Sequence, residues 1–339
     1  MKEAFLYEKL DGAKVRCNVC RHHCRISPGK VGICGVRKNI EGSLYFLAYD
    51  KVIAKAVDPI EKKPLFNFLP GSRSYSIATP GCNFSCLHCQ NYDISQIPRE
   101  REGHIPGGAL RPEEIVEDAK RNGCKSIAYT YTEPSIFFEL AYDTGLMAHE
   151  KGIKNIFVSN GFMTRETLDM SRGWLDGINV DLKGFTKEHY RKVCGGGLEG
   201  VLDSLRYIRE LGIWLEVTTL IIPGYNDSDE ELGNIAGFIR DDLGVETPWH
   251  VTAFYPTYKL LDAPRTPAAT LKRARDIGLK EGLRYVYEGN IPGSGGENTV
   301  CYGCGEILIE RYGYSISRNI VKDSRCPNCG SGIDGYGLG

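Results

Sequence analysis

Thirteen cysteines occur in this chain of 339 residues, and eleven of them fall into three tight groups. The first group is Cys17, Cys20, Cys24 and Cys34; the second is Cys82, Cys86 and Cys89; the third is Cys301, Cys304, Cys326 and Cys329. Their share of the chain is too small for a disulfide scaffold. Close Cys-x2-Cys spacing argues instead for bound metal. Cys124 and Cys194 stand apart and read as buried, inert thiols.

The middle group carries the sharpest chemistry. In TPGCNFSCLHCQN the spacing is Cys-x3-Cys-x2-Cys on one short loop. Three thiolates there can hold three corners of a 4Fe-4S cubane and leave one iron without a protein ligand. Four-cysteine ligation is the closed arrangement of electron transfer, whereas an open coordination position marks a reactive metal site. The rival reading is a zinc site completed by His88 or by a distant residue.

The other groups each offer four thiols. Cys301/Cys304 and Cys326/Cys329 form two knuckles separated by 21 residues, the spacing of a zinc ribbon or a rubredoxin-like iron site. Spacing does not separate zinc from iron; iron there would allow the tail to relay an electron. Cys17, Cys20, Cys24 and Cys34 are less regularly spaced and suit either zinc or an auxiliary iron–sulfur cluster, with no Cys-Pro ferredoxin signature beside them. His22 and His23, next to this group, read as exposed.

Something must position these loops. Between residues 75 and 290, β-rich runs alternate with helical stretches. Strands are expected at Tyr75–Thr79, Ser126–Tyr131, Asn155–Ser159, Gly177–Leu182, Ile213–Ile222, Trp249–Phe254 and Arg284–Glu288. Helices open at Pro112, after Ser135 as N-cap, at Asp227, and after Thr266 with Pro267 in the first turn. Single helices between strands imply a parallel sheet with right-handed crossovers. Seven strands are too few for a regular eight-fold barrel. A partial barrel is therefore expected, with a doubly wound sheet as the alternative. Its chemistry should sit at the C-terminal strand ends, where Glu133, Asn160, Asp181 and Lys183 fall; His250 lies at the start of its strand. Asp181 and Lys183, two apart, share one face. GGGLEG at 195–200 reads as a flexible loop.

The cysteine loop after the first strand resembles that of the radical S-adenosylmethionine (SAM) enzymes. The opening CNVCRHHC…GICGVR, the segment VDPIEKKPLFNFLPG and IATPGCNFSCLHCQN further resemble the radical SAM component of the AmmeMemoRadiSam system. The DLK, SNG and IIPGYND segments resemble the activating enzymes of glycyl-radical enzymes, such as the pyruvate formate-lyase activase. The resemblance implies an α/β fold, a partial (β/α)6 TIM-like barrel over 73–292. Small Cys-rich modules flank it: a four-Cys lead-in at 1–72 and a zinc-ribbon or rubredoxin-like tail at 293–339. It implies that Cys82, Cys86 and Cys89 hold a 4Fe-4S cluster whose open iron takes SAM, giving a 5′-deoxyadenosyl radical that abstracts hydrogen. Carried over residue by residue, Glu133 in YTEP takes the place of the family's methionine-binding carboxylate, with Tyr131 and Thr132 replacing its two glycines. Asn160 in SNGF, Asp181 and Lys183 in VDLKGF, His250 at the ribose and His88 beside the adenine complete the implied pocket.

Composition bounds the rest. Lys and Arg number 42 against 43 Asp and Glu, and hydrophobic residues make up 42%, as in ordinary globular proteins. No apolar run approaches the ~18 residues of a membrane helix, and the charged start does not read as a signal peptide, so a cytoplasmic protein without a membrane is expected. The first 73 residues hold 14 Lys and Arg against 7 Asp and Glu. That basic lobe motivates a rival class, a zinc-module adaptor for nucleic acid or protein, although no aromatic-basic motif accompanies it. The preferred reading is a radical SAM enzyme with its own substrate; the runner-up activates a glycyl-radical enzyme. Implied partners are an electron donor such as flavodoxin or ferredoxin, and Memo-like and AMMECR1-like proteins.

Overall fold

The computed structural model describes residues 1–101 and 103–339. Its centre is an eight-stranded sheet. Seven strands run parallel in chain order: Arg73–Ala78, Ser126–Tyr129, Lys154–Ser159, Gly177–Asp181, Trp214–Ile221, Trp249–Ala253 and Val286–Gly289. Ala54–Pro59 adds an antiparallel strand beside the first, with Ala54 opposite Ala78 and Pro59 opposite Arg73. The two edge strands do not pair with each other, so the barrel is partial, as expected. Ser126–Tyr129 and Trp249–Ala253 are buried at every position, the mark of strands covered on both faces.

The helices between the strands follow the sequence punctuation with local shifts. Pro112–Arg121 begins at its proline, with Glu114 reaching back to the Arg111 amide. Two expected caps differ. Glu133, not Ser135, accepts the amide hydrogen bond at the start of the short 3-10 turn Pro134–Phe137, which runs into the helix Phe138–Glu150. Pro267, not Thr266, occupies the N-cap of Ala268–Lys280. The Thr266 hydroxyl instead accepts from the Phe254 amide at 2.8 Å and donates to the Ile221 carbonyl at 2.6 Å, stitching two strand ends together. At Asp227 the cap proper is Ser228, whose side chain accepts from Glu231 N.

Two small β modules flank the barrel. The N-terminal one combines the sheet of Tyr7–Leu10, Lys14–Cys17 and Arg25–Ile26 with that of Lys2–Glu3, Arg37–Ile40 and Ser43–Phe46. It docks on the helix Arg165–Ser171 and its N-cap through Thr164 and Thr167 hydroxyls donating to Asn18 and Val19 carbonyls, both at 2.7 Å. The fully buried pair Arg37–Glu139, at 3.0 and 2.6 Å, ties it to the helix Phe138–Glu150. The C-terminal one is an antiparallel sheet of Thr299–Val300, Ile307–Tyr312 and Ser315–Asn319. Its buried Arg311 reaches the Phe66 carbonyl at 2.8 Å and stacks on the Phe66 ring. Among the described residues no helix is long and apolar enough to cross a membrane.

Candidate active site

A cavity of about 480 Å³ opens where the parallel strands end, a size that suits a small-molecule ligand. Its walls show the two-residue period of strands. Asp181 and Lys183, Thr218 and Leu220, and His250 and Thr252 each line it as an i, i+2 pair.

Cys82, Cys86 and Cys89 all border this cavity. Their loop is gripped from behind. Ser85 N and Leu87 N donate to the carbonyls of Cys194 and Val193, both at 2.9 Å. Gly195 and Gly196 explain the close approach: a Cβ on Gly196 would stand 2.1 Å from the Phe84 ring, and one on Gly195 2.3 Å from Ser85 Oγ. The expected flexible loop at 195–200 is thus a packing seat for the cysteines, and Leu198–Gly200 already belong to the helix Leu198–Glu210. Cys194 is buried, as anticipated, but its carbonyl serves the cysteine loop.

The loop's sulfurs receive donors of their own. Phe84 N donates to Cys82 Sγ at 3.4 Å, and Cys89 Sγ shares a hydrogen bond of 3.4 Å with the Ser95 hydroxyl. No three of the thiols converge within 4.8 Å. One tetrahedral zinc would hold its sulfurs about 3.8 Å apart. The wider set fits a core of several irons, with hydrogen-bonded thiolates of the kind that tune cluster potentials.

The residues singled out for SAM gather at the same cavity. Glu133, Asn160, Asp181, Lys183, His88 and His250 all line it. Glu133 is buried and already accepts three hydrogen bonds: Ser135 N at 3.0 Å, Ser159 Oγ at 2.9 Å and Asn160 N at 2.8 Å. Burial raises its pKa despite these donors. A carboxylate has room for about four acceptor contacts, so one lone pair remains for a ligand ammonium. Asn160 Nδ2 donates to Asn83 Oδ1 at 2.7 Å, linking the third strand end to the cysteine loop.

Lys183 pairs with Asp181 at 2.8 Å. Burial works against its charge, but Asp181 and the Cys86 sulfur outweigh it and hold the pKa above the ordinary lysine range. His88 is driven down to about 3, by burial first and by Lys183 second, so its ring is neutral. His88 Nδ1 and Thr218 Oγ1 are buried without a hydrogen-bond partner and belong to the cavity lining. Unpaired polar atoms of this kind are costly when nothing occupies the site, and they fit a polar nucleoside-like ligand. His250 is committed elsewhere: Nε2 meets Glu216 Oε2 at 2.7 Å, and Glu216 also accepts from Phe66 N and Asn67 N.

Some lining residues escaped the sequence reading. Lys63 is buried and pairs with Asp58 at 2.6 Å, while the Tyr131 hydroxyl donates to the same carboxylate at 2.5 Å. Burial pulls Lys63 down to about 8, against the opposing pull of Asp58. Tyr131 adopts φ 63, a left-handed backbone that glycine favours and that costs another residue about 1–3 kcal/mol. That strain places its ring 4.5 Å from Lys63 Nζ and is held by Asn91 Nδ2 on its carbonyl at 2.8 Å. The sequence signal was the segment VDPIEKKPLFNFLPG, which contains both Asp58 and Lys63. Tyr314 enters the cavity wall from the C-terminal module, a placement with no local signature.

The outer cysteines part company. Cys301, Cys304, Cys326 and Cys329 bring their sulfurs all within 4.8 Å of one another, the geometry of a metal site. Burial lifts Cys301 to about 11, while the Ser331 hydroxyl and amide draw the exposed Cys329 down to about 6. Cys17, Cys20, Cys24 and Cys34 are brought together around a recess beneath the cysteine loop, but no three of them converge in that way.

Comparison with known proteins agrees with this geometry. A family model described as the radical SAM superfamily matches residues 76–238. The chain is 49% identical over 336 residues to an uncharacterized protein of Methanocaldococcus jannaschii, covering 98% of this chain and 99% of that protein. It is similar to the pyruvate formate-lyase 1-activating enzyme of Escherichia coli K12, at 22% identity over 61% of this chain and 89% of that enzyme. Among solved structures, SuiB of Streptococcus suis bound to S-adenosylmethionine superposes with a TM-score of 0.51 at 14% identity, over 68% of this chain and 53% of that one. A radical SAM domain thus occupies residues 76–238, and the chain is a radical SAM enzyme.

Proposed function

We propose that Cys82, Cys86 and Cys89 hold a 4Fe-4S cluster, that SAM fills the adjoining part of the cavity, and that the remaining part receives a substrate which gives up a hydrogen atom. The observation that carries this reading is the opening of all three thiols into the 480 Å³ cavity that Glu133, Asp181 and Lys183 also line. A bound, reduced cluster would supply one electron for cleavage of the SAM S–C5′ bond, giving methionine and a 5′-deoxyadenosyl radical. The protein's own work is positioning. Glu133 offers a carboxylate to the methionine ammonium, held in place by its three donors. Lys183, kept charged by Asp181, faces the methionine carboxylate. Neutral His88 and Thr218 offer polar atoms to the nucleoside. His250 orients through Glu216 rather than reaching the ligand with Nε2.

Lys63 and Tyr131 line the same cavity with Asp58 paired to both, and Lys63 there suits an anionic or carbonyl-bearing substrate. The similarity to the pyruvate formate-lyase 1-activating enzyme supports a second reading, in which the hydrogen donor is a glycine of a partner protein. In either case a low-potential donor of the flavodoxin or ferredoxin class supplies electrons, and Memo-like and AMMECR1-like proteins are candidate partners. The flanking modules at 1–72 and 293–339 are assigned to metal, the latter to zinc or iron, and the protein to the cytoplasm.

The test is electron paramagnetic resonance of the anaerobically reconstituted, reduced protein with and without SAM. The cluster signal should shift on adding SAM, and the shifting component should be absent from Cys86→Ala. A spectrum indifferent to SAM would overturn the assignment.

A further inference from the structure

We propose that Cys17, Cys20, Cys24 and Cys34 hold an iron–sulfur cluster rather than zinc, and that this cluster passes electrons to the cluster on the Cys82 loop. The relay half rests on the reading above; the ligand assignment does not.

The first observation is spacing. A single tetrahedral ion with metal–sulfur bonds near 2.3 Å holds its four sulfurs about 3.8 Å apart. The C-terminal four meet that demand, with Cys301–Cys329 at 3.6 Å and Cys304–Cys326 at 3.7 Å. The N-terminal four do not, since no three of their sulfurs lie within 4.8 Å of one another. They stand instead around a recess, as Cys82, Cys86 and Cys89 stand at their cavity. Irons and sulfides between the thiolates require that wider stance, and four cysteines complete such a cluster with no open iron. A closed cluster carries electrons and does no chemistry on a ligand.

The second observation is the lining. Val19, Ile26 and Ile136 keep the recess apolar. Arg37 lines it too, is only 2% exposed, and has a buried Nε with no hydrogen-bond partner. Its other nitrogens are engaged by Glu139. The spare N–H is a donor for an anionic cluster, the kind of contact that adjusts potential.

The third observation is adjacency. Asn83, next to Cys82, lines the recess, and its carbonyl meets His22 Nε2 at 2.9 Å. The Cys34 carbonyl lies 2.9 Å from where a Gly81 Cβ would stand. Arg99 bridges the modules, donating to Ile33 O at 2.6 Å, to Phe84 O at 3.1 Å and to the Cys82 carbonyl. Cys24 is half-buried, so the outer side of the tetrad approaches solvent. One electron from a reduced carrier of the flavodoxin or ferredoxin class would enter there, reduce the tetrad's cluster, and leave it oxidised again as the Cys82-loop cluster is reduced. No atom is transferred.

The experiment compares full-length wild type with Cys82→Ala/Cys86→Ala/Cys89→Ala, both loaded anaerobically with iron and sulfide, by iron, zinc and acid-labile sulfide content. Sulfide is decisive, because neither zinc nor a rubredoxin-like iron at the C-terminal site contains any. The wild type should carry more than the about four sulfides of one cubane. The triple variant should keep the remainder, and adding Cys24→Ala should remove it. A triple variant without sulfide, or a wild type with sulfide for one cluster that the triple variant loses, overturns the assignment and leaves the Cys82 reading standing. A triple variant that keeps all the wild-type sulfide overturns the Cys82 reading instead. For the relay, reduction of the Cys82-loop cluster by reduced flavodoxin should slow at least tenfold in Cys24→Ala, while reduction by dithionite is unaffected. An unchanged flavodoxin rate overturns the relay.

Discussion

At the C-terminal end of the chain four sulfurs close on one point, two of them exposed and two buried in a cluster with Phe66, Tyr285 and Tyr287. At the N-terminal end four sulfurs spread around an apolar recess whose wall includes Asn83 of the cysteine loop and Ile136 of the barrel. Ligand count is the same and environment is not. The first arrangement is that of a site that folds its own segment around an ion. The second depends on the barrel for its walls and for the buried Arg37–Glu139 pair. Spacing along the chain counts ligands; the fold shows which of them converge.

That contrast sets the order of expected effects. Stripping metal from the C-terminal site, or replacing Cys326 by Ala, should melt the segment it closes, since structural metal contributes on the order of 10 kcal/mol to small modules of this kind. Hydrogen exchange should report lost protection over Thr299–Asn319 and retained protection in the parallel strands. Loss of protection throughout the chain would show that the module does not stand apart energetically.

Arg37→Ala should cost about 3–5 kcal/mol, because it leaves Glu139 buried without its partner. Chemical denaturation followed by exchange should place the damage in the N-terminal module and the helix Phe138–Glu150, with the C-terminal sheet untouched. Gly196→Ala pushes a methyl into the Phe84 ring and should cost about 1–3 kcal/mol by overpacking. Its sharper reading is lowered iron content at the Cys82 loop with normal metal in the tail.

The Lys63–Asp58 pair gives a pH signature that neither cysteine module shares. Lys63 loses its proton near pH 8, well below an ordinary lysine. If its cation binds substrate, kcat/KM falls as pH rises through that value. Asp58 favours the charged form, so Asp58→Asn should move this limb to lower pH; movement to higher pH would remove Lys63 from the role. The smallest effect is expected on the exposed pair Arg318–Glu306 at 3.2 Å. Breaking it should change stability by less than about 1 kcal/mol.

Much of this was readable from the residues. The seven parallel strands fall within a few residues of the β-rich runs, because β-branched and aromatic residues recur in each of them. The six SAM-pocket candidates meet at one cavity because strand ends of a parallel sheet converge. What stayed hidden depended on distant partners. Ala54–Pro59 carries Lys, Asp and Pro and reads poorly as a strand, yet it pairs along its whole length with Arg73–Ala78. Gly195 and Gly196 look like a loop until Ser85 and Phe84 are seen to fill the space their side chains would need. His250 looked like a ligand residue, and Glu216, 34 positions earlier, claims its Nε2. Tyr131 and Lys63 belong together only because a strained backbone turns the tyrosine onto Asp58.

The most direct test of the account is 5′-deoxyadenosine formation by reduced, anaerobically reconstituted protein supplied with SAM, beside Cys86→Ala and Cys304→Ala. The account predicts product from the wild type, none from Cys86→Ala, and product retained in Cys304→Ala. Equal product from wild type and Cys86→Ala would contradict it.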